Sequence, residues 1–318
     1  MRRAFTLAIC ASTLAAGCMS QQAPPEVPVR TLDVRADAAH PPTFMGLPLE
    51  TGQIILTEAS GALSFFFPLI PERFYRFTHA GIVVFEDGKP YVYDTVGELN
   101  TLSAIYASRP TDAIAGAVRR SFFYDYVKAN LYAEVYDPPE EIDVAKLESY
   151  VQSAWRNAVP FDPYFNNDDH AALFCTELVS QALEHAGAKP IVLAPLRPNR
   201  SLRVALEWLQ VPTDESLPAG LFADPARYRG AIGGIGSLTA ARCYYAAKEE
   251  LYRRFTESQK LGFIFRLDGL DIQLRDEIDD FVRKAIALFN SDPEAPDLET
   301  VKLAISELAA ERFGELPD

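Results

Sequence analysis

Cysteine is scarce in this chain, 4 of 318 residues, and after its first twenty positions no apolar stretch approaches the ~20 residues a membrane-spanning helix needs. So few cysteines rule out a disulfide-built scaffold. Basic residues are also few. Against 44 Asp and Glu stand 30 Lys and Arg, and the resulting net charge of −14 speaks against a nucleic-acid partner. Neither metal-ligand spacing nor a cofactor motif occurs, so no cofactor is expected. The run Gly230-Ala-Ile-Gly-Gly-Ile-Gly236 does not change this, because a phosphate-binding loop must join a strand to a helix inside a βαβ unit. It reads instead as a hinge or close-packing segment. What remains is an ordinary globular composition, 48% hydrophobic and 23% charged, long enough for two domains or one with a large appendage.

Arg2 and Arg3 precede an apolar run from Ala4 to about Ala16, too short to span a bilayer and typical of an export signal. The run ends in Leu14-Ala15-Ala16-Gly17-Cys18, which resembles the lipobox of bacterial lipoproteins. That resemblance implies cleavage after residue 17 and a lipid on Cys18. Residues 18–45, rich in Pro, Ala, Gln and Asp, then read as a flexible tether. At 5–6 Å × √n, its roughly 28 residues would hold a domain about 30 Å from a membrane. The expected location is the cell envelope, anchored to a bacterial membrane. Only Cys175 and Cys243 are left for the folded part.

Residues 46–228 mix strand and helix signals, which predicts an α+β domain. Gln53–Thr57 follows Gly52, and Ala80–Phe85 and Tyr91–Asp94 flank Asp87-Gly88, a strong hairpin signal. Further strands are expected near Ser121–Tyr126 and Asn130–Tyr136. Helices are expected from Val144 to Ala158, capped by Asp143, and from Cys175 to Ala186, stopped by Gly187. Residues 229–318 carry helical spacing, including Ile278, Phe281, Val282 and Ala285, and a segment behind Asp297 as cap.

Cys175 stands at the start of its helix, where unpaired N–H groups and the dipole favour a thiolate. Alone, a buried cysteine reads equally as a small hydrophobe. The hairpin adds to it. With a two-residue turn, Glu86 faces Lys89 and Gly81 faces Asp94, which sets His79 and Asp94 on one face as diagonal neighbours. A carboxylate can then orient the imidazole while its other nitrogen meets a thiol. Either side chain alone reads as an ordinary surface His or strand-end Asp. His170, five residues before Cys175, is the second candidate base. His40 falls in the tether and His185 in the last turn of a helix. The aromatic stretch Phe65-Phe66-Phe67 offers either core packing or a cleft wall, so His170, Phe65 and Phe67 are candidate cleft residues. Glu177 reads as a structural partner of the nucleophile region and Asp162 as a loop anchor.

Phe161-Asp162-Pro163-Tyr164-Phe165, followed by Phe174-Cys175-Thr176-Glu177-Leu178-Val179, resembles the nucleophile region of YiiX/YebB-like hydrolases of the NlpC superfamily. Thr78-His79-Ala80-Gly81-Ile82-Val83 is similar to their histidine strand, Tyr93-Asp94 to their third polar position and Thr51-Gly52-Gln53-Ile54-Ile55 to their opening strand. Gln53 stands where that family commonly has an acid, and Asp94 where Glu is frequent. The resemblance spans about residues 46–228. These enzymes are circularly permuted relative to papain, so the histidine precedes the cysteine, as it does here. The resemblance implies a permuted papain-like domain, an antiparallel sheet with packed helices, followed by a C-terminal helical region. It further implies a cysteine hydrolase that cleaves an amide bond, for instance in a peptidoglycan fragment. Cys175 would be nucleophile, His79 base and Asp94 the orienting group. Two other readings stand beside it: a lipid-directed acyl hydrolase or acyltransferase, with Phe65–Phe67 as acyl groove, and a binding lipoprotein without catalysis.

Overall fold

The computed structural model describes residues 43–44, 46–59, 62–100, 103, 106–130, 132–233, 238–257, 264–268, 271–289 and 296–316. The expected signal at 1–17, Cys18 as the expected lipid site, and all of the expected 18–45 tether except residues 43–44 lie outside them. Six strands make one antiparallel sheet: β1 (Ile54–Thr57), β2 (His79–Glu86), β3 (Lys89–Leu99), β4 (Ile114–Phe122), β5 (Tyr132–Tyr136) and β6 (Tyr228–Gly233). Their spatial order is β6-β5-β1-β2-β3-β4. With its helices, the chain is an α+β protein.

The hairpin at its centre follows from two residues. Asp87 and Gly88 both take positive φ, 50° and 74°, the backbone a two-residue turn needs to match strand twist. That turn fixes the register, Glu86↔Lys89 through Ile82↔Tyr93, as the sequence predicts. Both faces of the sheet are buried, which is why β2 is apolar almost throughout. On one face Ile54, Ala80, Ile82 and Tyr93 pack on α2 (Val144–Arg156) and α3 (Cys175–His185) through Leu147, Val151, Leu178 and Ala182. On the other, Ile55, Val83, Val92 and Val135 pack on Phe123 and Val127 of the short helix α1 (Phe123–Ala129). Asp143 caps α2, its Oδ1 accepting from Lys146 N at 3.2 Å, and Gly187 (φ 101°) follows the end of α3.

Two expectations change. Most of the strand expected at Ser121–Tyr126 is the Phe123–Ala129 helix. Its buried residues Phe123, Tyr126 and Val127 have helical i, i+3, i+4 spacing, hidden within an aromatic run that also suits a strand. The sheet also continues past residue 228, where the first domain was expected to end, because β6 pairs with β5. Its Gly230 is a close-packing glycine: a Cβ there would meet Leu47 Cδ1 at 2.7 Å.

Away from the sheet, α4 (Arg200–Leu209), which precedes β6, and α5 (Leu238–Tyr252), α6 (Asp276–Ala287) and α7 (Leu298–Phe313), which follow it, build a third core. Phe65, Phe66, Leu69 and Ile70 are shared into that core, so the helical region packs directly on the segment that leads to the His79 strand. Lys248 of α5 is buried there and its Nζ lies 2.6 Å from Glu58 Oε2, just after β1. Among the described residues no helix is long and apolar enough to cross a membrane.

Candidate active site

The loop into α3 is held by Asp162, whose carboxylate accepts from the N–H of Tyr164 at 2.9 Å and of Asn166 at 2.6 Å. Glu177 Oε2 accepts from the N–H of Phe174 at 3.3 Å and fixes the entry to the helix. Cys175 is then its first residue, buried at 8% exposure, where backbone N–H groups lack intrahelical acceptors and favour a negative sulfur or oxygen.

His79 opens β2 beside Thr57 of β1. Its Nε2 lies 2.8 Å from Asp94 Oδ2, and the ring shares a cavity wall with Cys175, near enough for the sulfur's charge to act on it. With Nε2 committed to the carboxylate, Nδ1 is the nitrogen left for the sulfur. Gly81, two residues after His79, has little room for a side chain, since a Cβ there would meet Val92 Cγ1 at 2.8 Å and Tyr93 O at 3.0 Å. Asp94 is fully buried and faces Arg119 across the β3–β4 ladder. Arg119 donates from Nε to Oδ1 at 2.7 Å and from Nη2 to Oδ2 at 2.9 Å.

Burial opposes charge on both members of the His79–Asp94 pair, and the pairing prevails. Burial alone would lower the pKa of His79, but the charge of the Cys175 sulfur and the bond to Asp94 push it up to about 10. Burial would likewise raise Asp94, yet hydrogen bonds from His79 and Arg119 hold it below the usual carboxylate range. At neutral pH the site therefore holds a His79 imidazolium between the Asp94 carboxylate and the Cys175 sulfur.

Arg119 and Tyr126 were not singled out from the sequence. The Tyr126 ring stacks on His79 with centroids 6.5 Å apart, and its hydroxyl lies 3.3 Å from Thr57 Oγ1. Burial, then the charge of Asp94, keeps that phenol well above its ordinary pKa. Tyr126 thereby shields the pair from water.

His170 is elsewhere. Its Nδ1 lies 2.6 Å from Glu177 Oε1, its side chain is 47% exposed and it does not line the cavity that holds Cys175. Glu177, pushed up to about 7 by burial against that hydrogen bond, draws the imidazole away. Phe65 also leaves the cleft, because it packs edge-on against Tyr244 at 5.7 Å inside the third core. Phe67 does line the cavity, on Phe165 at 4.9 Å, and Phe66 takes the place expected of Phe65. That cavity, about 370 Å³, has Cys175, His79 and Arg119 in its wall. Among the described residues no three His, Cys, Asp or Glu side chains cluster as metal ligands.

No protein-family model and no curated protein matches this chain. Among solved structures it is distantly similar to metalloprotein YiiX from Escherichia coli O157:H7, at 16% sequence identity over 58% of this chain and 96% of that one, with a TM-score of 0.44.

Proposed function

We propose that the chain is a cysteine hydrolase of permuted papain-like design that cleaves an amide bond, exported and tethered to the envelope through a lipid on Cys18. One observation carries the enzymatic reading: His79 lines one cavity with Cys175, and its Nε2 is paired with the buried, Arg119-held Asp94. Nucleophile, base and orienting carboxylate in that sequence are what thiol hydrolysis requires.

In this scheme the Cys175 sulfur attacks the substrate carbonyl carbon and a C–S bond forms. Negative charge grows on the carbonyl oxygen, where the backbone N–H of Cys175, at the helix start, supplies a donor. The C–N bond then breaks and the imidazolium of His79 gives its proton to the departing amine. Neutral His79 next takes a proton from water, hydroxide adds to the thioester, the C–S bond breaks, and the acid leaves as the Cys175 thiolate and the His79 imidazolium are regenerated. Asp94 holds the ring tautomer throughout.

The test uses an activated short ester. After brief exposure to p-nitrophenyl acetate and an acid quench, intact mass should show one acetyl group, mapped to Cys175. Cys175→Ala should lose both adduct and turnover. Undiminished turnover in Cys175→Ala would overturn the assignment.

A further inference from the structure

Helices α5 and α7 enclose a second cavity, of about 520 Å³, against β5 and β6. Its lining shares no residue with that of the cavity holding Cys175. The segment leading into β2 is a wall to both: Tyr75 and Phe77 line the Cys175 cavity, Phe74 and Arg76 the second one. Four rings line this second space, Phe74, Tyr132, Tyr228 and Tyr245, with Tyr132 and Tyr245 edge-on at 5.8 Å. Its volume falls within the ~300–1,000 Å³ of small-molecule sites.

Charge sets the class of ligand. In a chain of net charge −14, the described lining of this cavity carries a surplus cation: Arg76, Arg242 and Lys302 stand against Glu134 and Glu249. Lys302 is paired with Glu249 at 3.1 Å. Glu134 accepts from Arg76 Nη2 at 2.5 Å, from the Tyr132 hydroxyl at 2.7 Å and from the Tyr136 hydroxyl, so its oxygens are taken up. That bond holds the Arg76 guanidinium, with its central carbon 4.4 Å from the Phe77 ring centre and 5.3 Å from that of Tyr245. Its other nitrogens donate to no described residue. Arg242 has no carboxylate partner among the described residues and donates from Nη1 to the Pro296 carbonyl at 2.8 Å. Two guanidinium groups with unused donors in one wall suit the paired oxygens of a carboxylate.

We infer that this second cavity binds a flat organic carboxylate of single negative charge, its oxygens on Arg242 and Arg76 and its ring among the tyrosines. A second negative charge on the ligand would have no counter-ion left in the wall. The site is separate from Cys175 and His79, and the inference does not rest on the hydrolase reading.

The test is equilibrium dialysis of full-length Cys175→Ala, which has no nucleophile, with the fluorescent probe 2-naphthoate and its neutral counterpart 2-naphthamide. Naphthoate should bind at least about tenfold more tightly than the amide, the scale of charge-assisted hydrogen bonds. Arg242→Gln should remove that preference and leave binding of the amide as it was. Arg242→Lys, which keeps the charge without the planar fork, should fall between the two. Naphthoate bound no better than naphthamide, or a preference that survives Arg242→Gln in the folded protein, would overturn the site. The second of these results would place the probe elsewhere, the Cys175 cavity included. Tighter binding of 2-naphthyl phosphate than of naphthoate would overturn the assignment to a singly charged carboxylate. All three results leave the hydrolase reading standing, and inactivity of the wild type toward p-nitrophenyl acetate leaves this site standing.

Discussion

Two buried carboxylates flank the strand that carries His79, and they meet burial with different outcomes. Asp94, on β3, receives one hydrogen bond from His79 and two from Arg119, and stays below its ordinary pKa. Glu58, just after β1, has Lys248 at 2.6 Å and the Thr78 hydroxyl at 3.1 Å on Oε2, while Oε1 has no partner at hydrogen-bond distance. There burial outweighs Lys248 and Thr78 and raises the pKa of Glu58, while burial lowers that of Lys248. Number and placement of donors, more than depth, decide whether a buried acid stays charged. The first arrangement supplies a fixed anion to an imidazolium. The second ties the C-terminal helical region to the strand end beside the site.

The largest expected effect separates the two acids by activity. Asp94→Asn should lower kcat/KM by about 10²–10⁴, the scale of losing an oriented general acid–base, whereas Glu58→Gln, which touches no reacting group, should cost under about tenfold. The pH profile sharpens this. His79 is raised from 6.5 to about 10, so the alkaline limb of wild-type activity should fall near 10 and move down in Asp94→Asn but stay in Glu58→Gln. Because the shift is upward, the stability it contributes is complete below pH 6.5 and disappears as pH rises through about 10. Thermal melts across that range should decline less in Asp94→Asn than in the wild type.

A smaller effect reverses the roles. Lys248→Met leaves a buried acid unpaired and should destabilise the protein by about 3–5 kcal/mol in urea titration, with little change at the catalytic residues. Adding Glu58→Leu should restore most of that loss, since buried pairs can be exchanged for apolar groups at little cost. A double variant as unstable as Lys248→Met would contradict the comparison.

Asp94 was legible in the sequence because its relation to His79 is local: one Asp-Gly turn sets a register, and the register sets a face. Arg119 was not, because it reaches Asp94 through the β3–β4 pairing, whose connection leaves no turn signature comparable to Asp87-Gly88. Glu58 and Lys248 are 190 positions apart, and no local pattern joins them. The helix at Phe123–Ala129 is hidden where aromatic residues suit either period, and β6 is hidden in a glycine run that reads as a hinge or close-packing segment, although Gly230 does pack closely. His170 lies near the nucleophile in sequence, but its partner is Glu177, seven residues after it and in the first turn of the Cys175 helix.

The account depends most on His79 activating Cys175, and alkylation measures this directly. Cys243 is fully buried and burial raises its thiol pKa, so it serves as the internal reference. With brief iodoacetamide treatment at pH 6.5 and peptide mass spectrometry, the wild type should be modified at Cys175 and not at Cys243. In His79→Ala the Cys175 rate should fall at least about tenfold while the fold, followed by circular dichroism, persists. Equal labelling of the two cysteines, or a Cys175 rate that ignores the loss of His79, would contradict the account.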